Sequence, residues 1–501
     1  MSCRHILAFD DHRVGSTVTN LDAYTQRLRE PDKAMAIIEA GNLVYLNVGT
    51  PMAVAELLNS RIQELGSVDL RMLGPGYLPL VESERDAGER EIEIFIGEPS
   101  RASHETQRST YLPNTFMLGM KAYDSGREEA RIPDVNIVIC SAPNEAGFVH
   151  FGAAQWLRKA YLKRCEKTIA FVNPHMPRVH GDVWAHASEF TAFVEGVIPA
   201  PTDVEAIRAR VESEAPVPNR ERLLAISRVA LPELLAPVQD VFHTLDPEVL
   251  ENQLNLVIDP AAQKIADYLR ELIRDGDTIQ VGIGQPSSLM FNAGAFDDAK
   301  NLGLHTELGS PGLARLWERG ILNNSKKTIH QGRAVAVAWS GCDAIDMEII
   351  RDNPAFELHD PSYLLNPMLI AQNRQMTSIN SAIAVDLIGQ IASEDRYGGM
   401  MVNGTGGQPD NHLGATLCPE GRAVIVLRST ALGGAVSKIV AKHEAGTMIT
   451  IPRYLADTVI TEYGIARLLD KNHRQRAVEL IKVAHPDFRE ELSREAKANW
   501  G

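Results

Sequence analysis

The stretch TIQVGIGQP (278–286) opens with a short apolar run, breaks at Gly282 and Gly284, and stops at Pro286. LVYLNVGTP (43–51) follows the same plan in the first half of the chain. Both runs are almost continuously apolar rather than strictly alternating, the pattern of strands covered by helices on both faces. After LVYLNVGTP comes MAVAELLNSRIQEL (52–65), with helical spacing of its apolar residues. After TIQVGIGQP, SSLMFNAG (287–294) is expected to be helical with Pro286 at its start.

Working outward, each of these openings heads a series of strand-length runs. VDLRML (68–73), EIEIFIG (91–97), VNIVIC (135–140) and TIAFVN (168–173) belong to the first series. LGLHTEL (302–308), RAVAVAW (333–339), MTSINSAIAVDLIGQI (376–391), AVIVLRS (423–429), TMITI (447–451) and DTVIT (457–461) belong to the second. Strands alternating with amphipathic helical stretches predict an α/β class. The two series predict two tandem, related open α/β domains. VNIVICSAPNEAGFVHFG echoes SINSAIAVDLIGQIAS within this duplication. The stretch 199–260, with prolines at 199, 201, 216, 218, 232 and 237, is where they are expected to divide, giving 1–220 and 221–501. The tail VELIKVAHPDFREELSREAKANW (478–500) reads as two helices broken at Pro486.

Composition narrows the function classes. The 501 residues carry 50 basic and 65 acidic side chains, a net charge of −15, which repels nucleic acid and anionic membrane alike. No run approaches the ~18 apolar residues of a membrane span. The five cysteines, at 3, 140, 165, 342 and 418, form no CxxC pair, which fits a reducing cytoplasm and gives no zinc ribbon. Asp10 and Asp11 interrupt the opening MSCRHILAFDDHRVG where a secretory leader would lengthen its apolar core. GIGQPSS (282–288) has serine at the third glycine of a dinucleotide loop, and no phosphate-binding GxxxxGK[ST], nucleophile elbow or zinc-protease helix occurs.

Three loops remain, each at the end of an expected strand: GIGQP (282–286), HTELGSPG (305–312) and NGTGGQPD (403–410). In an open α/β sheet, ligands bind at strand carboxyl ends. Any one of these loops alone is commonly just a turn. Three together, with Glu307 among them, point to a site. His305 is read as a hydrogen-bonded core histidine, Asn380 and Asp386 as caps or turn residues, and Trp339, Met400 and Met401 as core or pocket walls. Cys342 and Cys418 have no basic neighbours to activate them.

The ordered set GIGQP, LGLHTELGSPG, KKTIHQGRAVAV, SINSAIAVDLIGQI, NGTGGQPD, VITEYGIA and AHPDFREEL resembles the acetyl-CoA hydrolase/transferase family. GEPSRASHETQRSTYLPNTF (97–116), SAPNEAGFVHFG (141–152) and FVNPHMPRVHG (171–181) extend the likeness into the first half. The resemblance implies the tandem CoA-transferase fold with its active site at the domain interface. It makes Glu307 the nucleophile and groups Glu462 with it, as a carboxylate beside the active site that supports it. It places coenzyme A on Gly282, Ile283, Gly284, Gln285, Pro286, Asn403 and Gly407. Backbone N–H groups of Gly406 and Gly407 are the expected oxyanion donors. Acyl-CoA and a small carboxylate are then the substrates, with no permanently bound cofactor and no metal, and a homodimer or higher homo-oligomer is implied.

The implied chemistry is a ping-pong transfer through a glutamyl-CoA thioester. A glutamate of ordinary pKa, ~4.3, would be ionised at neutral pH without a helper base. An acyl-CoA hydrolase using the same glutamate is the nearer alternative, and a non-catalytic CoA-binding protein the farther one. The chain departs from the family pattern at Pro311, where many members have Asp, and at Asn411, where an aromatic is usual. It departs again at Leu432, in place of a lysine that contacts the coenzyme, for which Lys438 is the available substitute.

Overall fold

A computed structural model describes residues 21–74, 88–97, 100–201, 203–231, 247–253, 256–396 and 399–501. The opening residues on which the leader reading rests, with Cys3, and the prolines at 232 and 237 lie outside the described residues.

The first half is built on a seven-stranded sheet: β1 (Leu43–Leu46), β2 (Asp69–Leu73), β3 (Arg90–Glu93), β4 (Thr110–Leu112), β5 (Val135–Cys140), β6 (Lys167–Val172) and β7 (Ala192–Val194). Their spatial order is β7-β6-β5-β1-β2-β3-β4, and every pairing is parallel. Helix α1 (Met52–Leu65) follows β1, its backbone N–H groups beginning after Pro51. It turns Val54, Ala55, Leu58 and Ile62 into the core. Each large aliphatic side chain so buried contributes about 1.5–3 kcal/mol. Helix α2 (Phe116–Asp124) is capped by the Thr115 hydroxyl, which accepts from the Leu118 N–H.

The linker forms helices α3 (Val204–Glu214), α4 (Val217–Val229) and α5 (Pro247–Gln253), with Ile207, Val211, Leu223 and Ile226 in a small core of their own. Position 220, the expected dividing point, falls inside α4.

The second half carries β8 (Thr278–Val281), β9 (Gly303–Leu304), β10 (Met376–Ser381), β11 (Arg422–Val426), β12 (Thr458–Thr461) and β13 (Gly464–Arg467), in the order β9-β8-β10-β11-β12-β13. All pairs are parallel except the β12–β13 hairpin. Helix α6 (Gln408–Leu417) follows the third glycine loop, and α7 (His473–Val483) and α8 (Arg489–Trp500) flank Pro486 at the C-terminus. The opening strand of each half pairs in parallel with a later strand, β1 with β5 and β8 with β10.

The halves are joined through backbone. His180–Gly181 of the first half pairs with Glu357–Leu358, which pairs in turn with Ala334–Ala336. His305 and Leu308 continue this layer by bridging to Val335 and Ala338.

Several sequence expectations need correction. SSLMFNAG does not form an α-helix: only Ser287–Leu289 makes a single 3-10 turn, so Pro286 does not head a helical dipole. TMITI is not a strand; Ile451 makes one isolated bridge to Ile391. LGLHTEL keeps strand geometry only at Gly303–Leu304. The run EIEIFIG ends at Glu93, because Ile94 adopts φ +67°. β4, β7 and β13 were not anticipated, being short and weakly apolar or set by tertiary pairing.

Candidate active site

The carboxyl ends of the second sheet converge on one cavity of about 460 Å³, in the range of small-ligand sites. Its wall takes Gly282, Ile283, Gly284 and Gln285 from the first glycine loop, Glu307, and Asn403, Gly406 and Gly407 from the third. Phe95, Ile96 and Arg101 close it from the first half. The site therefore lies at the interface of the two halves. Pro286 is buried behind the loop and does not reach the wall.

Glu307 is fixed by backbone before its side chain makes any contact. Its carbonyl accepts from the N–H groups of Val337 and Ala338 at 2.9 and 3.1 Å, and the preceding Thr306 N–H donates to Val335 O at 3.0 Å. The half-buried carboxylate then accepts one hydrogen bond, from the Gly407 N–H to Oε2 at 2.8 Å. A Cβ at residue 407 would stand 2.1 Å from that oxygen, so only glycine permits the approach. Burial pushes the Glu307 pKa up to about 8 against the pull of the Gly407 N–H, and Asp410 adds to the rise. An unperturbed, fully ionised glutamate is thus replaced by a carboxyl that titrates above neutrality, because the cavity wall withholds water from its charge. Asp410, in the first turn of α6, is itself raised to about 7 by burial, opposed by the Thr115 hydroxyl and the N–H groups of Met117 and Phe116.

The Gly406 N–H does not face the cavity. It donates to Ile94 O at 3.0 Å, so of the two expected donors only Gly407 is aimed at the Glu307 carboxyl. Glu462 is likewise off the cavity wall. Its oxygens accept from the Ser429 N–H at 2.9 Å and the Ser429 hydroxyl at 2.5 Å, tying the end of β12 to the end of β11. Ser429 O accepts the Lys438 N–H at 2.8 Å, so this brace supports the strand that brings Lys438 to the wall. The Lys438 ammonium donates to Ala382 O at 2.9 Å, and burial and Arg428 draw its pKa down to about 8. Leu432 is 75% exposed, so Lys438, not residue 432, supplies cationic charge to the cavity together with Arg101.

His305 is the core histidine its sequence context suggested. Its Nε2 donates to Leu364 O at 2.8 Å and its Nδ1 lies 3.2 Å from Asn373 Nδ2. Burial and Lys327 lower its pKa to about 3. Asp386 holds a turn through the N–H groups of Ile388 and Gln390. Asn380 lines the cavity in addition to its structural part: it exchanges two 3.0 Å hydrogen bonds with Gln280, and a Cβ on Gly282 would approach its Oδ1 to 2.5 Å. Trp339 and Met401 are core, and Met400 is 51% exposed. Burial raises the Cys342 thiol pKa well above its usual range. Pro311 is buried, and buried Asn411 donates to Gly407 O at 2.9 Å, bracing the loop where an aromatic would only pack.

Phe95, Arg101 and Gln280 were not among the candidates. Phe95 and Arg101 reach the site only through the docking of the two halves. Gln280 had a local signal, a polar residue inside an apolar strand beside a glycine loop. Away from the cavity, His330, Glu357 and His359 bring potential ligand atoms within 4.8 Å of one another. Glu357 is already paired with Arg333 at 3.1 Å, and burial lowers the pKa of both imidazoles, with Lys327 adding to the fall.

Comparison with known proteins gives a consistent result. The Acetyl-CoA hydrolase/transferase N-terminal domain model matches residues 16–218, and the corresponding C-terminal domain model matches residues 346–496. Glu307 lies between the two spans. The 4-hydroxybutyrate coenzyme A transferase of Clostridium kluyveri is 31% identical, over 96% of this chain and 99% of that one. Succinyl-CoA:cyclohexane-1-carboxylate CoA transferase of Geobacter metallireducens is 30% identical over 95% and 96%. The crystal structure of RipA from Yersinia pestis superimposes with a TM-score of 0.75 at 25% identity, covering 96% of this chain and 99% of that one.

Proposed function

The chain belongs to the acetyl-CoA hydrolase/transferase family, and we propose that it transfers coenzyme A from an acyl-CoA to a free carboxylate through a thioester on Glu307. The observation that carries this reading is the Glu307 carboxylate opening into the interdomain cavity with one oxygen held by the Gly407 N–H. That contact divides the labour between the two oxygens. Oε1 is the attacking atom: it adds to the acyl-CoA carbonyl, the C–S bond breaks, and a mixed anhydride and CoA thiolate form. The thiolate adds to the glutamyl Cδ, the Cδ–Oε1 bond breaks, and the free acid departs with Oε1. Oε2 remains as the thioester carbonyl oxygen. An incoming carboxylate then displaces the thiolate, which attacks the new acyl carbonyl and regenerates Glu307.

In both additions to Cδ the developing negative charge falls on Oε2, where the Gly407 N–H is already in place. One such preorganised donor is worth about 3 kcal/mol of barrier. The thioester bond energy is conserved, so no nucleotide is consumed. Arg101 and Lys438 provide positive charge for an anionic substrate at the same wall.

The test is to incubate enzyme with acyl-CoA alone and map the adduct by mass spectrometry. The expected result is a CoA mass increment on the Glu307 peptide, absent in Glu307→Ala, with turnover of that variant reduced by at least ~10³-fold. An adduct on another residue would refute the assignment. Thiol release measured with and without a carboxylate acceptor separates the two activities of the family: acceptor-dependent release marks a transferase, sustained release without acceptor a hydrolase.

A further inference from the structure

Ile94 is β-branched and yet sits at φ +67°. For such a residue this conformation costs about 1–3 kcal/mol and persists only where surrounding contacts impose it. Its side chain is buried with Tyr45, Leu73 and Phe116. The kink turns the Ile94 carbonyl across the interface, where it accepts the Gly406 N–H at 3.0 Å and faces the Tyr111 hydroxyl at 3.3 Å. Tyr111 Oη accepts the Thr405 N–H at 2.8 Å, and the Thr405 hydroxyl donates to Asn114 O at 2.6 Å. The Asn114 side chain is held by Glu93, to whose Oε1 it donates at 3.1 Å. Two successive residues of the glycine loop are thus held by polar groups of the other half, and the next N–H in the chain is the one on Glu307. Tyr111 and Asn114 come from GEPSRASHETQRSTYLPNTF, the segment of the first half that also sends Arg101 to the cavity wall and caps α2 through Thr115.

We propose that Ile94, Tyr111 and Asn114 form a positioning clamp by which the first half holds the Gly407 N–H on the Glu307 carboxylate. The proposal rests on the reading of Glu307 as nucleophile and adds the device that orients it. Among the described residues, the Gly407 N–H is the one hydrogen bond to that carboxylate, so loosening the loop removes the contact that favours its ionised form. The other charged groups bearing on Glu307 are Asp410 on α6 and, along the cavity wall, Arg101 and Lys438. None of them is touched by a change at Tyr111, which lies off the wall.

Tyr111→Phe removes the hydroxyl and keeps the ring. The acid limb of kcat/KM is expected to move up by as much as about one pH unit, so turnover falls roughly three- to tenfold at neutral pH and recovers near about pH 9.5. Thr405→Val should behave alike and Thr405→Ser should restore the wild-type profile. Amide exchange across 404–407 should accelerate in Tyr111→Phe and Thr405→Val. An unshifted profile, or an equal loss at every pH, together with unchanged exchange, overturns the clamp. Failure of the nucleophile reading is a separate result, an adduct away from Glu307 in wild-type enzyme, and the exchange measurement still reads the clamp in that event.

Discussion

Glu93 closes β3 of the first sheet and Glu307 lies three residues beyond β9 of the second, and burial raises the pKa of both carboxyl groups. Glu93 is wholly enclosed: Asn114 Nδ2 donates to one oxygen at 3.1 Å, the Tyr161 hydroxyl to the other at 3.2 Å, and Arg71 supplies opposing charge. Glu307 has one backbone donor and a cavity. Burial and a displaced pKa therefore do not distinguish a reactive carboxyl from a structural one. What distinguishes them is whether the second oxygen is already committed. In Glu93 both oxygens are spent on holding the fold, whereas in Glu307 one is held and the other accepts no hydrogen bond among the described residues.

The largest effect that could break this contrast is on turnover and folding together. Glu307→Gln should abolish transfer, by ~10³-fold or more, while leaving the protein folded. Glu93→Ala should do the reverse, destabilising by about 2–4 kcal/mol because Asn114 and Tyr161 lose their buried partner. Its denaturation midpoint should fall, while kcat per folded molecule near about pH 9.5, where loosening of the Asn114 contact no longer limits ionisation of Glu307, stays within a few-fold of wild type. If Glu93→Ala were stable and inactive, the division between the two carboxyls would be wrong.

A second measurement sharpens the contrast through pH. The folded pKa of Glu307 lies above its unfolded value, so the stability it contributes is complete below the unfolded pKa and is lost as pH rises through about 8. Glu307→Gln carries no such loss. The variant should match wild type near pH 4 and exceed it above about pH 8 by on the order of 2 kcal/mol, allowing for solvent at a half-buried site. Thermal midpoints followed across that range give the comparison, and parallel curves would contradict the raised pKa.

The smallest expected effect concerns Asp410, whose charge adds to the Glu307 shift. Wild-type kcat/KM should show an acid limb near about pH 8, and Asp410→Asn should move it down by less than about one unit. A shift in the opposite direction would mean that Asp410 acts on the carboxyl through loop geometry and not through charge.

Much of this architecture could be read from the chain. VNIVIC became β5 residue for residue, and MAVAELLNSRIQEL became α1, because apolar period and Pro–Gly punctuation are local quantities. The first two glycine-bearing loops and Glu307 were legible for the same reason, standing where β8 and β9 stop, whereas the third follows a two-residue strand, Met400–Met401, outside the main sheet. Glu93 and Ile94 were not, since EIEIFIG reads as an uninterrupted strand and nothing local announces a kink. Tyr111 and Arg101 carried no signal for the site, because both act on a loop some three hundred positions away.

The sequence by itself determined that there are two parallel-sheet halves, which loops end their strands, and which carboxylate stands among those loops. Only the tertiary structure decided which N–H reaches that carboxylate, which one is diverted to Ile94, and that Glu307 titrates near 8 instead of near 4. The physical reason is range. Strand and turn propensities are set by neighbours along the chain, whereas desolvation and hydrogen-bond partners are set by whatever surface the other half presents.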